Sequence, residues 1–542
     1  MNRCLLPLVF LIVSPVPVLR AGTGDDLVRR VEDAVARGER SIVVEKGDYV
    51  LDLPTDRDAY FRLRRIRDVT IDFSGSRLWG RVKSRMFDLV CCTNVTLRNV
   101  TVDYPFSLPS TQARIVSVDK ERNWEVEILK GYPRPEAEQI APGARIWPVQ
   151  AYSRDGSRLV NPMRFRDGIR IERVSESRYR ITGGLDRRGE VGDIAVWSLG
   201  EYGRRTANCA FHLDACVGCL LESCTVYATP MGCGFAEIAA ERNTYRGCRL
   251  TRCPPEDDPV KREGLRLRSG NHDAFNSRRS FVGPVIERCR FGYHCDDDVN
   301  ISGYFGIVTK QEGRVLRVCP FGGLVPCAAG DSCQVMTYSG DCPPDVTVLS
   351  CEPDGIPGED EKAFFREYEF YQGIVDTISR AYRVEIDRDV DLPKGSVIIS
   401  NRRQGNGFVI RDSVFGPNRA RGLLIKASQG TIENNTIEGI EGHPIMIAPE
   451  VQWLEGGCSS DVKIVGNKMK RNGGGILIAG NNMANNPLPC GAHRNIVLER
   501  NDVESPAAAL KAVGCSGLEM RGNRFRSERG DTVELINCKE RK

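Results

Sequence analysis

Hydrophobic positions in this chain return in a short phrase rather than in long stripes. An apolar β-prone residue, a mostly charged residue, a turn residue and a small polar or thiol residue recur. They read Leu97-Arg98-Asn99-Val100, Leu221-Glu222-Ser223-Cys224, Tyr245-Arg246-Gly247-Cys248 and Ile286-Glu287-Arg288-Cys289, then Ile410-Arg411-Asp412-Ser413 and Ile432-Glu433-Asn434-Asn435. Ile464-Val465-Gly466-Asn467, Leu498-Glu499-Arg500-Asn501 and Met520-Arg521-Gly522-Asn523 follow. The steps from Cys224 to Cys248, Ser413 to Asn435 and Asn501 to Asn523 are nearly equal. A fixed period in the range of roughly 20–50 residues marks a stacked array whose units bury their faces against one another. No helical period separates the units. The expectation is an all-β right-handed parallel β-helix, each coil climbing one strand spacing of about 4.8 Å.

Three stretches depart from this rhythm. Leu27, Val28, Val31, Ala34 and Val35 form an apolar helical stripe, with Thr23 and Asp26 placed as a capping box and Gly38 placed to stop the helix. A solenoid exposes the interior of its first rung, so this helix is expected to be an N-terminal cap. Residues 111–205 and 305–400 alternate with period two and lack the phrase. Ala113–Val118, Trp124–Ile128 and Arg145-Ile146-Trp147 represent the first, and Gly306-Ile307-Val308, Val384-Glu385-Ile386 and Ser396–Ile399 the second. They are expected to be antiparallel β-subdomains inserted into loops of the helix. The predicted order is then an export signal over 1–21, cap helix and first coils over 22–110, an insertion over 111–205, central coils over 206–304, a second insertion over 305–400 and C-terminal coils over 401–542.

The phrase also bears on the 21 cysteines. Cys224, Cys248 and Cys289 fill the slot that Asn435, Asn467, Asn501 and Asn523 fill later, so they are expected to be a buried ladder of free thiols acting as small apolar fillers. Cys319, Cys327, Cys333, Cys342 and Cys351 lie in a Gly/Pro-rich stretch where one or two disulfides are expected. Cys216-Val217-Gly218-Cys219 has no second pair at zinc-finger spacing, so no structural metal is expected.

Charge excludes more than it assigns. The 76 basic and 72 acidic side chains leave a net +4, without a basic run interleaved with aromatics, so a nucleic-acid partner is not expected. Arg3 followed by the apolar stretch Leu5–Val13 and the small residues Ala21-Gly22 reads as an export signal, too short to span a membrane. A secreted or periplasmic protein without a membrane span is expected.

The chemically dense region is Ser269-Gly270-Asn271-His272-Asp273-Ala274-Phe275 together with His294-Cys295-Asp296-Asp297-Asp298-Val299-Asn300. Asp273 precedes Asp296 and Asp297 by one coil's length, the step that also separates Cys224 from Cys248. Adjacent coils therefore bring the carboxylates together, and repulsion then raises at least one pKa, leaving an acid and a base at the same pH. Inverting glycoside hydrolysis needs that division, with acid and base roughly 6.5–9.5 Å apart. Taken alone, three consecutive Asp residues read as a solvated turn or calcium loop. The one-coil register and the flanking His272 and His294, two of only five histidines, favour catalysis. Strand neighbours alternate faces, so Asp296 and Asp297 can share a cleft only at an irregular turn, with Asp298 pointing away.

These residues resemble glycoside hydrolase family 110. The resemblance rests on His272-Asp273-Ala274-Phe275, Gly283-Pro284, Ile286–Phe291, Asp296-Asp297 with Asn300, Asn418–Ile425, Ile432–Asn435 and Trp453–Gly457. Val95–Leu97, Val102-Asp103-Tyr104 and Gln112-Ala113 extend it toward the N-terminus. It implies a pectate-lyase-like solenoid exported from a bacterium, acting as an inverting exo-α-1,3-galactosidase on an oligosaccharide or glycan without a cofactor. It maps catalytic carboxylates onto Asp273, Asp296 and Asp297. Beside them, His272, His294, Asn300, Arg421, Lys426, Glu450, Trp453 and Glu455 are the candidate substrate-binding residues, Trp453 as a stacking platform for a pyranose. Arg419, Arg421 and Lys426 are weighed equally as sugar ligands or solvated charges, and Trp453 equally as that platform or as a residue packed under a loop. Two other classes stay open: a polygalacturonase-like hydrolase or a calcium-using lyase, and a glycan-binding solenoid without catalysis.

Overall fold

The structure is a computed structural model that describes residues 18–20, 22–52, 56–135, 149–161, 169–183, 189–199, 209–367, 375–480 and 486–541. The apolar stretch Leu5–Val13 and the run Arg145-Ile146-Trp147 lie outside the described residues. Among the described residues, no helix is long and apolar enough to cross a membrane.

The phrase builds what it predicts, a parallel β-helix. Its two faces are a 22-stranded and a twelve-stranded sheet among the described residues, with pairing between coils parallel and in register. Thr431–Glu433, Lys463–Val465 and Val497–Glu499 lie directly over one another in the first sheet. Each phrase is a bend in that sheet. Its turn residue takes a left-handed conformation (φ 53° at Asp412, 54° at Asn434, 66° at Gly466, 52° at Arg500) and the next residue points inward.

Those inward residues form the ladder. Asn467 accepts at Oδ1 from the backbone N–H of Asn435 (3.0 Å) and donates from Nδ2 to the Ile432 carbonyl (2.9 Å). Asn501 repeats the pattern on Asn467 and Ile464, at 3.1 and 2.8 Å. The earlier cysteines do more than fill space. Cys248 and Cys289 each aim Sγ at the carbonyl one rung below, Leu221 and Tyr245, at 3.3 Å, the bond the Asn amide makes. The two ladders join where Cys289 N–H donates to Ser413 Oγ at 3.0 Å. Inside the solenoid Phe61, Phe87, Phe211 and Phe235 stack at 4.8, 5.0 and 5.1 Å, close to the rung spacing itself.

Helix α1 (Gly24–Ala36) covers the first rung and buries Leu27, Val28, Val31 and Ala34. Thr23 Oγ1 accepts from Asp26 N–H at 3.2 Å, and Gly38, at φ 82°, closes the other end on the Val35 carbonyl. Two insertions have cores of their own. Among the described residues, seven antiparallel strands between Ser110 and Ser198 pack around Trp124, Trp197 and Tyr179, and six strands between Gly306 and Ser400 close into a barrel. The disulfides expected between Cys319 and Cys351 are not formed. All twenty described cysteines are thiols, and Cys319, Cys327 and Cys333 are buried as packing residues in and around the barrel.

Two measurements check the ladder. Titration of denatured, unreduced protein should find Cys224, Cys248 and Cys289 free; all three in disulfides would overturn the assignment. Asn467→Leu strands the Asn435 N–H and the Ile432 carbonyl and should cost about 1–3 kcal/mol in urea unfolding. Asn523→Leu, at the half-exposed end of the ladder, should cost less.

Candidate active site

Seven strands of the twelve-stranded sheet place the chemistry: β1 (Arg85–Val90), β2 (Phe211–Asp214), β3 (Phe235–Ile238), β4 (Phe275–Arg278), β5 (Val299–Tyr304), β6 (Leu423–Ile425) and β7 (Ile445–Ile447). Four of them are entered through the same irregular turn, over 270–275, 294–299, 418–423 and 440–445. The strands align Phe275, Val299, Leu423 and Ile445, so the fourth turn positions align too: Asp273, Asp297, Arg421 and His443. Backbone bonds hold the turns together, Ala274 N–H to the Asp297 carbonyl at 2.9 Å and Asp298 N–H to the Arg421 carbonyl at 3.2 Å. Asp296 occupies the third position, over His272. The strand has not begun at either residue, so face alternation does not apply and Asp296 and Asp297 share one floor.

Carboxylate oxygens of Asp273, Asp296 and Asp297 lie within 4.8 Å of one another. That is closer than the roughly 6.5–9.5 Å between acid and base in inverting enzymes, because a single rung separates the groups. Their surroundings differ. Asp273 accepts from Asn276 Nδ2 at 2.5 Å and from Asp297 N–H at 3.3 Å. Burial, then the Asp296 and Asp297 charges, push its pKa well above the ordinary range. Asp296 keeps 18% of its side chain exposed. Burial raises its pKa, Arg419 at 3.3 Å opposes, Asp297 adds to the rise, and it is pushed up to about 7. Asp297 is gripped on both oxygens by Arg421, Nε to Oδ1 and Nη2 to Oδ2, each at 2.8 Å. These three carboxylates are the one group among the described residues with the spacing to ligate a metal. Arg419 and Arg421 already supply positive charge there.

A loop after β7 closes one side. Glu450 leads into a single 3₁₀ turn (Val451–Trp453), Leu454 turns back at φ 52°, and β8 (Glu455–Gly456) pairs antiparallel with Gly303 and Tyr304 of β5. Glu450 and Glu455 exchange backbone bonds at 2.8 and 3.2 Å, which points both carboxylates at Lys426 Nζ, at 3.0 and 2.5 Å. Glu450 also takes Arg421 Nη1 at 2.5 Å. Burial works against its charge, yet Arg421 and Lys426 outweigh it and hold the pKa down to about 2. Lys426 is the reverse case: burial would lower its pKa, but Glu455 and Glu450 raise it.

The candidate residues therefore divide. His272, Arg421, Trp453 and Glu455 are half-buried, and burial, then Arg278 and Arg419, lower the His272 pKa to about 4. His294 and Lys426 are fully buried and touch no open surface. His294 Nε2 lies 2.7 Å from Asp298 Oδ1 and its Nδ1 accepts from Asp296 N–H at 3.4 Å, so it braces the turn from beneath. Glu450 and Asn300 are buried likewise, Asn300 spanning Glu455 and Lys426 at 3.3 and 3.4 Å. Asp298 points inward, away from the pair, as expected. Two residues went unassigned in sequence: Asn276, which holds Asp273, and Arg278, whose Nε donates to Asn276 Oδ1 at 2.7 Å. The signal for Asn276 was present as Asp273-x-x-Asn276, repeated one coil later as Asp297-x-x-Asn300.

Comparison with known proteins agrees with the β-helix fold. A right-handed β-helix region family matches residues 391–525. The chain is 25% identical over 431 residues to alpha-1,3-galactosidase B of Bacteroides thetaiotaomicron, covering 75% of this chain and 64% of that relative's length. Among solved structures it is similar to an exopolygalacturonase from Thermotoga maritima (TM-score 0.42, 11% identity, 97% of this chain and 92% of that one). It is also similar to the A-module of the Azotobacter vinelandii mannuronan C-5 epimerase AlgE4 (TM-score 0.40, 8% identity, 95% of each).

The raised carboxylates set a pH test. A group whose pKa is higher in the folded chain stabilises the fold when protonated, and that stability is lost as pH rises through the folded value. Asp296→Asn should match the wild type near pH 4 and exceed it by about 1–4 kcal/mol above pH 7. An equal difference at both pH values in thermal unfolding would show that Asp296 titrates ordinarily.

Proposed function

We propose that the chain is a glycoside hydrolase that removes terminal α-1,3-linked galactose from glycans. The carrying observation is the trio of carboxylates within 4.8 Å on adjacent coils, in unequal surroundings. Asp273, with its raised pKa and its tether to Asn276, is the proton donor to the leaving oxygen. Asp296, near pKa 7 and the more open of the pair, is the base that takes a proton from water. General acid–base catalysis works best with values near the operating pH. Asp297 is held by Arg421 and fixes the water's second contact. Two hydrogen bonds of about 2.7 Å from one water reach across the separation seen, so a water fits between neighbouring carboxylates. That supports direct attack by water and inversion. The linkage and the sugar are supported by the 25% identical relative named alpha-1,3-galactosidase B.

One observation favours a second reading. Carboxyl groups about 5 Å apart are typical of retaining enzymes, in which one of them is the nucleophile. The first-formed anomer, read by NMR, decides between them. A β-anomer released from an α-galactoside supports inversion, and an α-anomer establishes retention.

The wider test is a panel of aryl α- and β-glycosides and α-galactosyl oligosaccharides, read by mass spectrometry. Release of galactose from α-1,3-linked substrates is expected. Asp273→Asn, Asp296→Asn and Asp297→Asn should each lower kcat by about 10²–10⁴-fold, without additivity. A fully active Asp273→Asn enzyme would sink the mechanism. Activity should persist in EDTA; loss in EDTA restored by calcium would favour a lyase.

A further inference from the structure

The cleft cations are not equally neutralised. Arg419 lies 3.3 Å from Asp296, Arg421 lies 2.8 Å from Asp297, and Lys426 lies 2.5 Å from Glu455. Arg278 differs. It is half-buried at the end of β4, on the outward side that Asn276 also occupies, and no described carboxylate lies within 4.0 Å of it. Its hydrogen-bond partner is Asn276 Oδ1 at 2.7 Å, which leaves guanidinium N–H groups for a further acceptor.

Two more arginines stand beside it without a carboxylate. Arg279, at φ 55°, begins the turn out of β4 and donates Nη2 to the Val325 carbonyl of the barrel at 2.7 Å. Arg403 lies over the Phe281 ring at 5.0 Å, and its buried Nε has no hydrogen-bond partner. Burial and the Arg403 charge together pull the Arg279 pKa down to about 10. All three are half-buried, and backbone bonds from Arg279 N–H to the Ser302 carbonyl and from Gly405 N–H to the Ser280 carbonyl, each at 2.8 Å, bring their segments together beside Tyr304, itself stacked on Phe321 at 4.2 Å. Glu455 and Asp273 answer Arg278 at longer range and raise its pKa, whereas no carboxylate acts on Arg279, and buried charge is costly unless something of opposite sign completes it. A planar guanidinium fork suits a carboxylate or sulfate better than a single hydroxyl.

We propose that Arg278, Arg279 and Arg403 form an anion-binding subsite beside the carboxylate trio, which takes the carboxylate or sulfate of the sugar next to the one released. The position of the subsite relative to the released sugar rests on the glycosidase reading; the recognition itself is a binding property. The aromatic pair Tyr304 and Phe321 supplies an apolar wall, and Glu455, facing Tyr304 across the β5–β8 pairing, marks the side toward the reacting sugar.

Calorimetric titration of the full chain with three disaccharides tests it: a neutral α-1,3-linked galactose disaccharide, its counterpart sulfated on the second sugar, and one with a uronic acid in second position. At least one anionic ligand should bind tenfold or more tighter than the neutral one at low salt, and which one distinguishes sulfate from carboxylate. That advantage should fall to twofold or less in Arg279→Met/Arg403→Met. Arg403→Gln alone serves as a milder variant, with thermal melting as the control for folding. Equal binding of all three ligands, or an advantage that survives both variants, overturns the subsite. Hydrolysis is followed in parallel. An anionic preference with no ligand cleaved supports the subsite and defeats the glycosidase reading. Cleavage of the neutral ligand without an anionic preference defeats the subsite alone.

Discussion

Everything in this molecule is arranged by the single distance between parallel coils. A strand spacing of about 4.8 Å puts Phe over Phe, Asn over Asn and thiol over carbonyl, each at a separation that suits those groups. The same spacing puts Asp273 under Asp297, which suits carboxylates badly. The energy of the regular ladders holds the irregular turn in register. The site is therefore the ordinary geometry of the solenoid applied to side chains that resist it.

That resistance is answered by cations from later coils. Arg421 grips Asp297, Arg419 approaches Asp296, and Lys426 gathers Glu450 and Glu455. Buried ion pairs gain little stability over apolar packing and cost several kcal/mol when one partner is removed. Their value here is positional. They fix where negative charge can reside and leave Asp273 and Asp296 without a bidentate cation of their own, both with raised pKa.

Much of this was legible in the chain because the coil period is a local count. The ladder slot of Cys224, Cys248 and Asn467 and the offset between Asp273 and Asp297 both follow from counting coil lengths along the sequence. The bend at 295–298 followed from the demand that two consecutive Asp residues share a floor. Counting fails where an insertion interrupts it. Arg421 stands one rung above Asp297 but 124 residues later, so nothing in spacing pairs them. Burial was equally hidden. His294 reads like a ligand beside the Asp run, yet the turn folds it underneath. The cysteines near 319–351 look like a disulfide cluster, yet the barrel uses Cys319, Cys327 and Cys333 as packing atoms.

The barrel sits in the chain between the two halves of the site. β5 runs from the Asp297 turn straight into the barrel's first strand at Gly306, and the barrel's last strand ends at Ser400, shortly before Arg419 and Arg421. Most coils close on near neighbours in sequence, but this seam must bring together groups 124 residues apart. Loop-closure entropy grows with that separation, and contacts distant in sequence form late. A folded barrel holds its two ends close and shortens the effective loop to a short connection. Folding the barrel before the seam is the cheaper route in loop entropy, and on that route the carboxylate cluster waits on a domain that contributes none of its members.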